Sequence, residues 1–287
     1  MKARCQGVNM GFSDWKNFAR NKIGDNDVLA AKHVFELLKT PVYFYRKLRA
    51  ALLWRAKARH LYKTKSGLQL HLGCGDQHLP GMLNCEYRAT RAADVIMDCG
   101  SLRRFKENSV SLIFSSAFFE HLYRRQQIPL LKDCHRVLNH DGVVVFLMLP
   151  DFKVIAESYL SRLPGHPGRS EYFDLFQVYR YTHGDPEMAP EYWTQQLHKS
   201  LFDRDALREL LLAAGFRYWM IFNYAYPNEK IPLNLGFVAW KNRPVEQMSE
   251  FKKLLDKFRP YFADFNEPLI PANLMASSDL PPAIHPS

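Results

Sequence analysis

The sequence predicts an α/β domain on a mainly parallel sheet of about seven strands flanked by helices. It adds a basic helical N-terminal extension and an inserted lid. Three observations predict this. Short apolar runs recur at 68–72, 82–86, 94–98, 111–115, 143–149, 217–223 and 234–240. Helix-periodic stretches at 124–138, 152–162 and 203–214 fall between them, and strands alternating with helices favour a parallel sheet. The first run stops abruptly at Gly73-Cys74-Gly75, followed by Asp76.

Residues 1–40 read as irregular or loosely helical. Residues 43–62, YFYRKLRAALLWRAKARHLY, read as a helix because Ala, Leu, Arg and Lys are strong formers. Its cations fall nearly all round the wheel, leaving no clean apolar stripe. Leu48, Leu52 and Trp54 are the expected anchors if the helix lies on the domain. If it does not, its cations suit an anionic surface, lipid or nucleic acid.

Gly142 stops the helix that ends in HRVLNHD, just before VVVFLML. Asp203 and Asp205 open the helix that Gly215 closes. Residues 163–199 break the rhythm with prolines, glycines and aromatics. One helix near 170–180 is expected there, in an insertion of the kind that forms a lid. Tyr172, Phe173, Phe176 and Tyr179 are expected to be mostly its core. Residues 262–287 are Pro-rich with little periodicity and read as a disordered tail. The expected organisation is an extension over 1–66, a domain over 67–243 with 163–199 inserted, and a C-terminal helix and tail over 244–287.

The chain has 287 residues and a net charge of +10. Residues 1–66 hold 15 Lys and Arg against 4 Asp and Glu, so the remainder is nearly neutral. Phosphate-binding chemistry, if present, therefore belongs to the extension. No apolar run reaches 18 residues, and the first residues lack the apolar stretch of a secretory signal. The five cysteines are scattered, with no C-x-x-C, so neither a disulfide framework nor a zinc centre is expected. A cytoplasmic protein, peripheral at the inner face of the membrane, is the expected localisation.

Two glycines at the end of a first strand let the backbone approach a ligand closely. In open parallel sheets ligands sit beyond the carboxyl ends of the strands. A dinucleotide fold wants G-x-G-x-x-G, but His78 stands where the third glycine belongs. The next strands carry acids instead. Glu86 ends LNCEY, where a carboxylate can accept from both hydroxyls of a ribose. Asp98 ends IMDC, where it can accept from an exocyclic amine. SLIFSS then exits at Ser115 and Ser116.

The ordered set LHLGCG, LNCEY, IMDC, SLIFSSAFFEHL, HRVLNHDG, LPDF and FDRDALRELLLAAGF resembles the class I S-adenosylmethionine-dependent methyltransferases. It is similar to the branch whose L-G-C-G is followed closely by L-P-G, often linked to glycan or lipopolysaccharide assembly. The resemblance spans about residues 68–240 and implies a Rossmann-like sheet with S-adenosylmethionine as cofactor. It implies that Gly73 and Gly75 pass the methionine portion, that Glu86 meets the ribose, that Asp98 lies beside the adenine with the Cys99 backbone as a neighbour, and that Ser115 and Ser116 flank the transferred methyl group. Leu72, Cys74 and Tyr87 are expected among the cofactor-binding residues. Two departures stand out: the short Gly75–Leu83 interval leaves little room for a helix, and Glu86 replaces the more usual aspartate.

For a hydroxyl acceptor a general base helps. His121, in FFEHL, and His198, in QQLHKSLF, are the candidates, with Asp151, in LPDF, as a holder of the acceptor hydroxyl. Asp151, His183, Asp185 and His198 have no recognised ligand spacing, so no metal is expected. The expectation is O-methylation of a sugar, glycolipid or polysaccharide precursor. The acceptor is a small molecule or glycan, and an anionic membrane surface meets the basic segment. An RNA methyltransferase and a non-catalytic scaffold with the same fold are the alternatives. Nucleic acid is the less favoured partner because no base-amine motif such as N-P-P-Y is present.

Overall fold

The structure is a computed structural model. It describes residues 25–64, 67–165, 170–184, 196–225, 229 and 231–258, the side chains of 25–40, 63–64 and 247–248 aside. The strands are β1 (Leu68–Leu72), β2 (Leu83–Glu86), β3 (Val95–Ile96), β4 (Val110–Ser116), β5 (Leu138–Pro150), β6 (Tyr218–Tyr224) and β7 (Asn234–Trp240). They form one sheet in the order β3-β2-β1-β4-β5-β7-β6. Pairings from β3 through to β5 are parallel, and β7 runs antiparallel between β5 and β6. The expected mainly parallel, Rossmann-like sheet is therefore what forms.

Each strand is covered on both faces, which is why it reads as an apolar run rather than an alternation. Helices α1 (Asp25–Thr64), α2 (Arg124–Val137) and α5 (Arg204–Ala213) bring Leu61, Leu130, Leu131, Cys134, Leu207 and Leu211 to one face. On the other face, α6 (Gln247–Lys257) presents Phe251 and Leu255, with Phe258 just after it. Phe258 stacks on Phe114 of β4 at 3.9 Å and 6°. No helix follows the glycines of β1, as the short interval predicts. Part of the sheet face near β1 and β4 is covered by α6 instead, and Lys257 Nζ reaches Gln69 of β1 at 3.1 Å.

The caps explain the helix starts. Asp203 accepts from the Ala206 amide at 2.7 Å, and Asp151 accepts from Lys153 and Val154 to start α3 (Phe152–Leu160). Gly215, at φ 98°, closes α5 in the left-handed region.

Four expectations are corrected. Helix α1 begins at Asp25 rather than near residue 43. Its anchors on the core are Trp54, Ala58 and Leu61, whereas Leu48 and Leu52 are exposed. A stripe spaced 4 and 3 was present, but its middle member is an alanine, which carries little weight on a wheel. Chain contacts divide the protein after Arg49, so residues 50–64 group with the sheet domain. The inserted helix, α4, spans Leu175–His183 rather than 170–180. Of the four aromatics expected in its core only Phe173 is buried, with Tyr181 beside it, while Tyr172, Phe176 and Tyr179 are exposed. The Pro-rich tail and Asp185 lie outside the described residues. Among the described residues no helix is long and apolar enough to cross a membrane.

Candidate active site

A cavity of about 880 Å³ opens beyond the carboxyl ends of β1, β2 and β4. That volume lies within the usual range for small-molecule sites, about 300–1,000 Å³. Gly73 and Gly75 have φ values of 63° and 53°, a region side chains avoid. A Cβ on Gly73 would stand 2.9 Å from the Phe118 side chain. The loop therefore passes between β1 and the β4 exit as bare backbone. Glu86, at the end of β2, accepts from the Gly75 amide at 2.9 Å and from the Arg88 amide at 3.1 Å. Thr90 Oγ1 donates to the Gly75 carbonyl at 2.6 Å. One carboxylate thus sets the loop and still lines the cavity.

The other predicted residues divide. Cys74, Tyr87, Asp98, Cys99 and Ser116 line the cavity with the two glycines. Asp98 is exposed, with Oδ1 accepting from the Gly100 amide at 2.8 Å. Burial raises the thiols of Cys74 and Cys99, the latter to about 12, so both are neutral spacers. Leu72 and Ser115 are buried behind the wall. Ser115 Oγ donates to the Leu72 carbonyl at 2.9 Å, which ties β4 to β1 instead of facing the cavity.

Asp151 stands apart from the cavity. Its Oδ1 caps α3, and its Oδ2 accepts from Asn223 Nδ2 at 2.7 Å. Both oxygens are engaged in joining α3 to β6. His121 lines the cavity, and His198 packs edge-on against it with ring centroids 5.2 Å apart. Neighbouring Glu120 is 1% exposed. Burial raises its carboxyl to about 8 and lowers His121 to about 4. The described end of the inserted segment reaches the β4 exit, as Lys199 N–H donating to the Glu120 carbonyl at 2.8 Å also shows.

Several lining residues carry no motif. Ala117 and Met148 line the cavity at φ 54° and 62°. Ala117 N–H donates to the Leu147 carbonyl at 3.2 Å, and Met148 sits at a register shift of β5. Such bulges re-aim strand ends beside sites. They set the backbone at the ends of β4 and β5 beside the cavity, and no residue type in the sequence announces them. His71, in mid β1, also lines the cavity; its Nδ1 lies 3.0 Å from Asn84 Oδ1.

Burial lowers His71 to about 4, against about 6.5 in an unfolded chain. Between those values the unfolded chain binds a proton that the fold refuses. The stability carried by neutral His71 is full above about pH 6.5 and is lost as pH falls toward 4. Urea unfolding at pH 7 and pH 4.5 is expected to show the wild type losing about 2 kcal/mol more than His71→Gln. Equal losses would assign the acid sensitivity elsewhere.

The residues present fit S-adenosylmethionine. A side-chain-free loop, a carboxylate at the next strand end and an acid at the third strand suit an amino-acid moiety, a ribose and a purine amine. Glu86→Ala is expected to weaken S-adenosylhomocysteine binding at least tenfold by calorimetry, about 1.4 kcal/mol. Unchanged affinity would remove Glu86 from the site.

Residues 70–146 match the family model of a methyltransferase domain. Comparison with curated proteins finds no match. Among solved structures, the chain is similar to a SAM-dependent methyltransferase of Archaeoglobus fulgidus at 15% identity, covering 68% of this chain and 94% of that one, with a TM-score of 0.41. It is similar to an S-adenosylmethionine-dependent methyltransferase of Mesorhizobium loti at 13% identity, covering 63% and 96%, with a TM-score of 0.40. It is also similar to the 1,6-didemethyltoxoflavin-N1-methyltransferase of Burkholderia thailandensis, solved with S-adenosylhomocysteine, at 15% identity, covering 76% and 89%, with a TM-score of 0.39. The family match and the geometry of the glycine loop agree. The chain is an S-adenosylmethionine-dependent methyltransferase, with S-adenosylmethionine as its cofactor.

Proposed function

We propose that this methyltransferase methylates a hydroxyl oxygen of a sugar, in a glycolipid or polysaccharide precursor. One observation carries the reading. His121 Nδ1 lies 3.1 Å from the Leu197 carbonyl oxygen, which can only accept. The ring proton is therefore on Nδ1, and Nε2 of this cavity-lining residue keeps the lone pair that taking a hydroxyl proton requires. Tyr87 lines the same cavity and is 65% exposed, leaving a ring face on which a sugar can stack.

In this reading Glu86 holds the ribose hydroxyls and Asp98 the adenine amine. Gly73 and Gly75 pass the methionine portion, and Ser116 flanks the methyl group. The cofactor supplies an electrophilic methyl group. The protein aligns the acceptor oxygen with it and excludes water. His121→Asn is expected to lower kcat about a hundredfold while S-adenosylhomocysteine affinity stays unchanged.

Helix α1 favours work at an anionic lipid surface. In residues 41–49, Val42, Tyr43, Phe44, Tyr45 and Leu48 are exposed beside Lys47 and Arg49. In residues 50–64, Leu52, Leu53 and Tyr62 are exposed beside Arg55 and Arg59. The aliphatic members of this set, Val42, Leu48, Leu52 and Leu53, mixed with cations suit a lipid interface better than RNA, which uses cations and stacking aromatics.

The deciding experiment incubates the protein with methyl-labelled S-adenosylmethionine and separated cell fractions. Label in the glycan or glycolipid fraction, as an alkali-stable methyl ether, is the expected result. Label in RNA alone would overturn the proposal.

A further inference from the structure

We infer that Glu120, His121 and His198 form a binding site for one divalent transition-metal cation, with zinc the best match to the donor set. A single-turn 3-10 helix, Phe119–His121, follows β4 and sets Glu120 and His121 side by side. The end of the inserted segment brings His198 against them. One donor atom from each residue lies within 4.8 Å of the other two, and His121 Nε2 is 3.6 Å from Glu120 Oε1. Donors around a tetrahedral zinc, bound at about 2.0–2.2 Å, stand roughly 3.4 Å apart, so a small inward movement completes the set.

Two further observations point to a ligand. First, His198 Nδ1 lies 2.7 Å from the Tyr181 carbonyl, as His121 Nδ1 lies 3.1 Å from that of Leu197. Both rings therefore carry their proton on Nδ1 and hold a lone pair on Nε2. Metal-binding histidines are oriented in this way, by an N–H donated to a backbone carbonyl. Second, Glu120 is almost wholly buried, and its Oε2 has no hydrogen-bond partner. The nearby Lys199 does not supply one, because its Nζ stands over the Tyr123 ring at 5.1 Å. A buried carboxyl oxygen without a partner is costly, and a cation held by this carboxyl and two imidazole lone pairs would displace its proton and satisfy the group.

Two histidines and one carboxylate are a common three-ligand set that leaves a fourth position for water or an acceptor oxygen. His121 places the site in the wall of the cofactor cavity. The cation takes the same His121 Nε2 lone pair that the proposed base would use, so cation binding and proton removal by His121 are alternatives at this atom.

Full-length protein stripped with a chelator is titrated with zinc chloride by calorimetry, and with cobalt(II) by absorption. One equivalent of each is expected to bind, and the cobalt spectrum should show nitrogen and oxygen ligation. Glu120→Gln and His198→Asn should each weaken zinc at least thirtyfold, while His140→Asn, at an exposed histidine, leaves it unchanged. S-adenosylhomocysteine should still bind the stripped protein, which separates this inference from the methyltransferase reading. No stoichiometric zinc binding by folded wild type would overturn the inference. So would zinc affinity unchanged in both variants, or a thiolate charge-transfer band with cobalt. If the variants unfold, the wild-type cobalt spectrum decides alone.

Discussion

Gly73→Val is expected to abolish measurable S-adenosylmethionine binding, a loss of a thousandfold or more, about 4 kcal/mol. Two separate demands meet at this residue. Its φ of 63° lies in the left-handed region, where a β-branched residue is a genuine outlier. Any Cβ there also stands 2.9 Å from three atoms of the Phe118 side chain. Phe118 has little freedom to yield, because it packs against the main core and follows Ala117, itself held at φ 54°. The strain is relieved only by moving the loop, and the loop is the cofactor's floor. Gly75 differs in kind. Its φ is 53°, but the nearest heavy atom to an added Cβ is the flexible Arg88 Nη2, at 3.9 Å. Gly75→Ala should therefore cost about 1–2 kcal/mol, roughly tenfold in affinity. Calorimetry with S-adenosylhomocysteine should rank Gly75→Ala mildest, Gly73→Ala next at about a hundredfold, and Gly73→Val last, with thermal unfolding confirming that each is folded. Equal affinities across the three would remove the loop from the cofactor site.

The same region shows what the sequence could and could not disclose. All seven strands were legible within two residues at most ends, except the long early start of β5, because each is buried on both faces and bounded by polar residues. Glu86 and Asp98 were legible because they are polar residues at the ends of such runs. Ser115 read like Ser116, yet strand alternation turns one toward Leu72 and the other toward the cavity. The register that decides this was not visible. Asp151 shows a second limit, since an acid at a strand exit and an acid capping the next helix have the same sequence signature. Glu120, His121 and His198 show a third. Ligand spacing reveals a metal site when the ligands share one element, but these come from a 3-10 turn and from the far end of an insertion. Only the fold brings them together.

The largest stability effect is expected at the end of helix α1. Trp54→Ala combined with Leu61→Ala should cost about 4–5 kcal/mol by urea unfolding. Leu61 is 7% exposed in the main core, and truncating a buried leucine costs about 2–5 kcal/mol. Trp54 is only partly buried, so it should contribute about 2 kcal/mol, part of it from the Arg104 guanidinium 5.3 Å over its ring. Seven residues separate the two along the helix, roughly 10 Å, so the costs should nearly add. Leu48→Ala with Leu52→Ala, at exposed positions of the same helix, should stay within about 0.5 kcal/mol. The contrast removes the same kind of apolar surface from different sides of one helix. If the two pairs cost the same, residues 50–64 do not pack on the sheet. The consequence reaches the site, because Lys57 pairs with Asp94 at 2.5 Å. Asp94 in turn accepts from Asn84 Nδ2 at 2.9 Å, and Asn84 Oδ1 meets His71 Nδ1. Burial would raise the Asp94 carboxyl, but the hydrogen bonds from Lys57 and Asn84 outweigh it and hold the acid below its ordinary value. A basic helix that composition alone offers to lipid or nucleic acid is thus, over its last turns, the outer end of a polar chain that orients a histidine in the cavity wall. Loosening it with Trp54→Ala and Leu61→Ala should weaken S-adenosylhomocysteine binding several-fold in protein that remains folded, although neither residue touches the cavity.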